Sequence, residues 1–194
     1  MPKPKQEKQQ LKPGTIKIVC GLGNPDGEYE HTRHNAGFAT VDLIAERHGV
    51  RYWKSEAGAM TASLAWRGTD GESREVILAK PMSYMNTSGG PLSKLARAHH
   101  VKPNEILVVH DEVDLPAGQI KAKMGGGLNA HNGLRSIADK LGTRDFMRLQ
   151  FGIGRPPGRM QVADYVLREL KGNFLQEFEL TAEDAADAVE RILG

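Results

Sequence analysis

Cysteine is almost missing: Cys20 is the only one in 194 residues. One thiol excludes a disulfide framework and a cysteine-rich zinc site, and it fits a reducing compartment, so a cytoplasmic location is expected. Net charge is also scarce. At +2 overall, a nucleic-acid partner cannot be argued from total charge and needs a local patch. No apolar run approaches the roughly 18 residues of a spanning helix, so no membrane association is expected. The opening "MPKPKQEKQQLKPG" is basic, but no apolar segment follows that would make it a signal peptide. Residues 1–14 are read as a flexible tail, with an RNA-touching arm as the alternative. Familiar catalytic signatures are missing too: there is no Gly-x-Ser-x-Gly elbow, no His-Glu-x-x-His and no Walker loop.

The length suits one well-cored domain, here residues 15–194. Thr15 to Leu22 reads as a buried strand. Phe38, Val41, Ile44 and Ala45 recur at helical spacing before Gly49, which predicts a helix from about Ala36 to His48. Met60–Trp66 and Glu75–Ala79 read as strands around the turn "RGTDGES". A helix starts near Pro91. Ile106–Val109, Gln119–Lys123 and Phe146–Ile153 read as strands, and a helix containing Leu134, Ile137 and Leu141 is closed by Gly142. Gln161–Leu170 reads as a helix, and Thr181-x-x-Asp184 as the start of the last one. Interleaved strands and helices predict a single α/β domain: a mixed, twisted sheet flanked by helices.

The stretch "IKIVCGLGNPDGEYEHTRHNAG" opens like a dinucleotide loop, with Gly21-x-Gly23 after an apolar run. Its continuation is wrong for one. Asp26, Glu28 and Glu30 would repel a pyrophosphate, and no helix begins directly after the glycines. Cys20 lies within the strand pattern and reads as core. What remains is amides and imidazoles at element ends: Asn24, His34-Asn35, Met85-Asn86, Asn132, and "HDEVD" from His110 to Asp114. Such junctions are where α/β active sites gather. They are also where caps and turns use Asn and Asp. The plainer reading of His110 and His131 is structural or solvent-facing.

The strings "GLGNPDGEYEHTRHNAGF", "KPMSYMNTSGGPL", "VVHDEVDLPAGQIKAKMGGG", "HNGLRSI" and "FGIGRP" resemble the bacterial-type peptidyl-tRNA hydrolases, from about Ile16 to the end. The resemblance implies a metal-free, cofactor-free enzyme. It would cleave the ester between a peptide and the terminal ribose of tRNA, recycling tRNA from prematurely released chains. The family's catalytic histidine falls on His34, its supporting aspartate on Asp111 and its catalytic asparagine on Asn24. Substrate-positioning asparagines fall on Asn86 and Asn132, and Tyr29 and Met85 line the same cleft. These residue types suit ester hydrolysis. A neutral imidazole takes a proton from water near neutral pH, a carboxylate orients it, and an amide N–H faces the oxyanion.

Lys121, Lys123, Arg135, Lys140, Arg144 and Arg148 cluster around "MGGG" and the helix that follows. With the resemblance, these residues are expected to meet tRNA phosphates. Two positions depart from the family: Asn129-Ala130 precede "HNGL" where small residues are usual, and Gln150 replaces a usual base. A monomer is expected. A non-catalytic RNA-binding relative and a general esterase or amidase are the competing readings.

Overall fold

The computed structural model describes residues 11–194. Its strands are β1 (Ile18–Gly21), β2 (Lys54–Glu56), β3 (Ala59–Arg67), β4 (Ser73–Pro81), β5 (Ile106–Glu112), β6 (Ile120–Met124) and β7 (Met147–Gly152). Its α-helices are α1 (Ala36–Arg47), α2 (Gly89–Ala98), α3 (Asn132–Leu141), α4 (Val162–Leu167) and α5 (Gly172–Leu193). The strands form one seven-stranded sheet in the order β2-β3-β4-β1-β5-β7-β6. β1 pairs in parallel with both β4 and β5, and β5 in parallel with β7. The outer pairs β2–β3, β3–β4 and β6–β7 are antiparallel, so the sheet is mixed as expected.

Strand alternation divides the core into two layers. Val19, Leu107, Val109 and Leu149 face one side, where Val41 and Ile44 of α1 and Ala185 and Val189 of α5 cover them. Ile18, Cys20, Ile106 and Val108 face the other, under Leu92 and Leu95 of α2 and Leu134 and Ile137 of α3. The central strands are therefore buried on both faces, which is why they read as continuous apolar runs. Cys20 is core, as read.

Four expectations need correction. β5 continues through Glu112, so His110 and Asp111 belong to a fully buried strand rather than to the loop after it. The α4 helix stops at Leu167; beyond it the chain is extended, Glu169 bridges to Thr32, and the Leu170 N–H donates to the His31 carbonyl at 2.7 Å. The last helix begins at Gly172, and Thr181 lies inside it with its hydroxyl donating to the Glu177 carbonyl. A Thr-x-x-Asp pattern fits a helix start, but packing on the sheet face extends the helix through it. Of the expected tail, residues 1–10 lie outside the described residues. Leu11 packs against the core, and Thr15 bonds back to Lys12, so the folded domain starts before Thr15.

Candidate active site

The C-terminal ends of β1, β4 and β5 lie side by side in the middle of the sheet. Strand ends at such a point leave a crevice. The β1 end carries Asn24; the turn after β4 carries Met85 and Asn86; β5 itself carries Asp111. His34 sits in the 3₁₀ turn Arg33–Asn35 that leads into α1, and His131 and Asn132 open α3.

Asp111 is 3% exposed and binds two imidazoles. Its Oδ2 lies 2.8 Å from His34 Nδ1, and its Oδ1 lies 2.7 Å from His131 Nε2. Burial alone would favour the neutral acid; the two histidines outweigh it and hold the carboxyl well below the usual carboxylate range. An ionised Asp111 only accepts, so His34 donates through Nδ1–H. Neutral His34 then keeps a bare lone pair on Nε2. Burial pulls the His34 pKa down, but the Asp111 charge and hydrogen bond more than offset this, and the net shift is upward from the ordinary value.

His131 has a fixed tautomer. Its Nδ1 accepts from the N–H groups of Gly133 and Leu134 at 3.1 and 3.3 Å, capping α3. The proton is therefore on Nε2 and points at Asp111. This arrangement argues against a metal cluster of His34, Asp111 and His131, although their ligand atoms lie within 4.8 Å of one another. To ligate through Nε2, His131 would have to move its proton to Nδ1 and give up the cap. His131 is thus structural, as its plainer reading had it, but what it holds is Asp111. The signal available was its position, one residue before Asn132 and at a helix start. His110 is fully buried, donates through Nδ1 to the Asp111 carbonyl at 2.8 Å, and packs edge-on to His131 at 5.1 Å between centroids. Burial pushes its pKa down to about 3, so it stays a neutral wall, in line with its structural reading.

Asn24 is buried, and its Oδ1 accepts from the Met85 N–H at 2.9 Å. Its main-chain N–H donates to Asn35 Oδ1 at 2.8 Å, and Asn35 Nδ2 donates to its carbonyl at 3.0 Å. Among the described residues, Asn24 Nδ2 has no protein partner. Met85 is buried, and α3 approaches it so closely that a Cβ on Gly133 would meet the Met85 sulfur at 2.7 Å. Asn86 and Asn132 are exposed on the two sides of this contact. Tyr29 is half-buried in the turn Gly27–Tyr29, and its carbonyl accepts from the Thr32 hydroxyl.

On β6 and α3, Lys121, Arg135, Lys140 and the following Arg144 are exposed and Lys123 is half-buried. None of them is in an ion pair among the described residues. Arg148 corrects the expectation. It is 1% exposed, and its guanidinium donates to the carbonyls of Gly126, Gly127 and Arg144 while lying over the Phe146 ring. It fastens the glycine-rich turn and does not meet solvent. Gln150 is also buried, paired in register with His110 and Lys121. A base there would not stand on the open surface. Asn129 and Ala130 both take positive φ, 49° and 59°, and Asn129 is tied to Glu112 at 3.2 Å.

Comparison with known proteins gives a consistent result. The family model described as peptidyl-tRNA hydrolase matches residues 18–194. The chain is 50% identical over 179 residues to the peptidyl-tRNA hydrolase of Nocardia farcinica, covering 91% of this chain and 89% of that one. It is 49% identical over 176 residues to that of Frankia alni, covering 91% and 87%. The crystal structure of peptidyl-tRNA hydrolase from Acinetobacter baumannii superposes with a TM-score of 0.82 at 33% identity, over 94% of this chain and 91% of that one.

Proposed function

The chain belongs to the peptidyl-tRNA hydrolase family, and from that premise we propose how its residues hydrolyse the ester joining a peptide to the terminal ribose of tRNA. Water attacks the ester carbonyl directly. His34 Nε2 takes the water proton as the bond forms, and the imidazolium that results rests on Asp111. The Asn24 Nδ2–H donates to the oxyanion. As the tetrahedral intermediate collapses, the proton on His34 passes to the departing ribose oxygen, and the carboxylic acid and free tRNA hydroxyl leave. His131 holds the second oxygen of Asp111, so the carboxylate cannot rotate away from His34.

Asn86 and Asn132 bind the peptide main chain, with Tyr29 and Met85 lining the cleft. Main-chain recognition makes the enzyme indifferent to peptide sequence. Lys121, Lys123, Arg135, Lys140 and Arg144 hold tRNA phosphates. The enzyme acts as a monomer in the cytoplasm and needs no metal or cofactor.

The observation that carries this reading is the His34–Asp111 pair at 2.8 Å. The bare His34 Nε2 stands at the same strand ends as Asn24 Nδ2, which has no partner among the described residues. The test is release of the blocked amino acid from N-acetyl-aminoacyl-tRNA, run beside a small carboxylic ester. Release from the tRNA substrate alone is expected. Tight tRNA binding without release would leave only the RNA-binding relative, and equal cleavage of the small ester would make the protein a general esterase.

A further inference from the structure

Asn35 does something unusual for a residue at the start of a helix. An asparagine there commonly accepts from an N–H of the first turn. Asn35 does not cap α1: its backbone, at φ −95° and ψ 18°, continues the preceding 3₁₀ turn, and no side-chain capping bond forms. Its own N–H donates to the Thr32 carbonyl at 3.1 Å, which fixes its main chain within that turn. The amide instead reaches back 11 residues to Asn24, accepting from its N–H at 2.8 Å and donating to its carbonyl at 3.0 Å.

One rigid planar group thus satisfies both main-chain polar atoms of a buried residue, as a neighbouring strand would. Asn24 Oδ1 is already taken by the Met85 N–H. Asn24 is therefore held at three points, and only Nδ2 is left to face a substrate. Asn35 also directly follows His34 in the chain. The group that aims the amide and the imidazole that accepts the proton are adjacent residues of one turn.

We propose that Asn35 is a positioning residue for the hydrolysis, setting the Asn24 main chain so that Nδ2 meets the oxyanion in register with the base His34. The inference rests on the reading of Asn24 as the oxyanion donor. Electrostatic stabilisation depends on a donor that is already in place when charge develops, and a misplacement of about 1 Å can cost on the order of 10²-fold in rate. Asn35 has no hydrogen bond to His34 or Asp111, so its effect travels through Asn24 alone.

The test is a double-mutant cycle on the full chain, with kcat, KM and the pH profile measured on N-acetyl-aminoacyl-tRNA. Asn35→Ala is expected to lower kcat by about 10- to 100-fold with KM within a few-fold, and to leave the acidic limb of the profile where it was. Asn24→Ala is expected to lower kcat at least as much. Adding Asn35→Ala to Asn24→Ala is expected to cost little more, because the group it positions is gone. A merely structural Asn35 would slow both backgrounds equally or move the acidic limb, and either result overturns the proposal, as does a wild-type kcat in Asn35→Ala. If Asn24→Ala itself is at wild-type rate, the oxyanion reading fails first. Should Asn35→Ala not fold, Asn35→Ser is measured in the same cycle; it keeps a polar atom but cannot span to both Asn24 groups.

Discussion

Two polar regions of this protein are built on opposite rules. At the ends of the central strands, the polar atoms of Asp111, His131, Asn35 and the Asn24 main chain all have partners, and the residues are largely buried. Among the described residues, His34 Nε2 and Asn24 Nδ2 are without a protein partner there, and His110 Nε2 is unpartnered but sealed inside. Along β6 and α3, the lysines and arginines are mostly exposed and, among the described residues, without ion-pair partners. In the proposed mechanism the first region works by position, which suits its many hydrogen-bonded, buried atoms. The second, in the same proposal, works by field, which needs charge near a surface and tolerates loose side chains. Arg148 shows the boundary between them. It lies in the basic segment of sequence but is buried, with its guanidinium on three carbonyls.

The contrast is tested most sharply at His34. His34→Ala is expected to lower kcat/KM by about 10² to 10⁴-fold while tRNA binding stays near wild type; single-turnover cleavage beside a binding titration measures both. A variant that cleaves normally would remove the base from the mechanism. Asp111→Asn comes next, and it also tests the charge. As the proposed base, His34 must be neutral to act, so activity is expected to fall as pH drops through its pKa. That pKa is raised because Asp111 outweighs burial. With the charge gone, burial acts unopposed, and the acidic limb of the profile is expected to move to lower pH while the plateau rate drops. An unmoved limb would mean that another group sets it.

Arg148 and Lys123 separate the two rules within one charge type. Arg148→Ala strips the donors from buried carbonyls and leaves a void over Phe146. It is expected to destabilise the fold by about 2–4 kcal/mol, as loss of charged hydrogen bonds in a buried setting does, read by denaturant titration. Lys123→Ala is expected to leave that titration nearly unchanged. It should instead weaken tRNA binding several-fold and shallow the salt dependence by roughly one phosphate equivalent. A binding series across ionic strength decides this, and an unaltered slope would place Lys123 off the RNA path. The smallest effect is expected at Ala130, which sits in the left-handed region at φ 59°. Ala130→Gly relieves that strain but loosens the unfolded chain, so a net gain of about 0.5–1 kcal/mol is expected, seen as a slightly higher melting temperature.

Much of this was readable in the sequence because it depends on local pattern. Apolar alternation and helical spacing located most strands and helices, and Gly142, at φ 72°, closes α3 as expected. The excess of carboxylates after Gly23 excluded a dinucleotide loop, and the ordered motifs around Asn24, His34, Asp111 and Asn132 pointed to the family. These signals are short-range, and each residue's neighbours along the chain carry them. Burial and pairing across the fold are not short-range. The sequence could not tell that His131 turns its Nε2–H to Asp111, because a tautomer is fixed by two backbone N–H groups and a carboxylate 20 residues away. It could not separate Arg148 from Lys123, because a cation's role depends on whether water or a carbonyl surrounds it. Nor could it show that Asn35 holds Asn24, because that contact exists only once β1 and α1 are folded back on each other. Chain order chose the chemical groups; the tertiary structure decided which of their atoms remain unpaired.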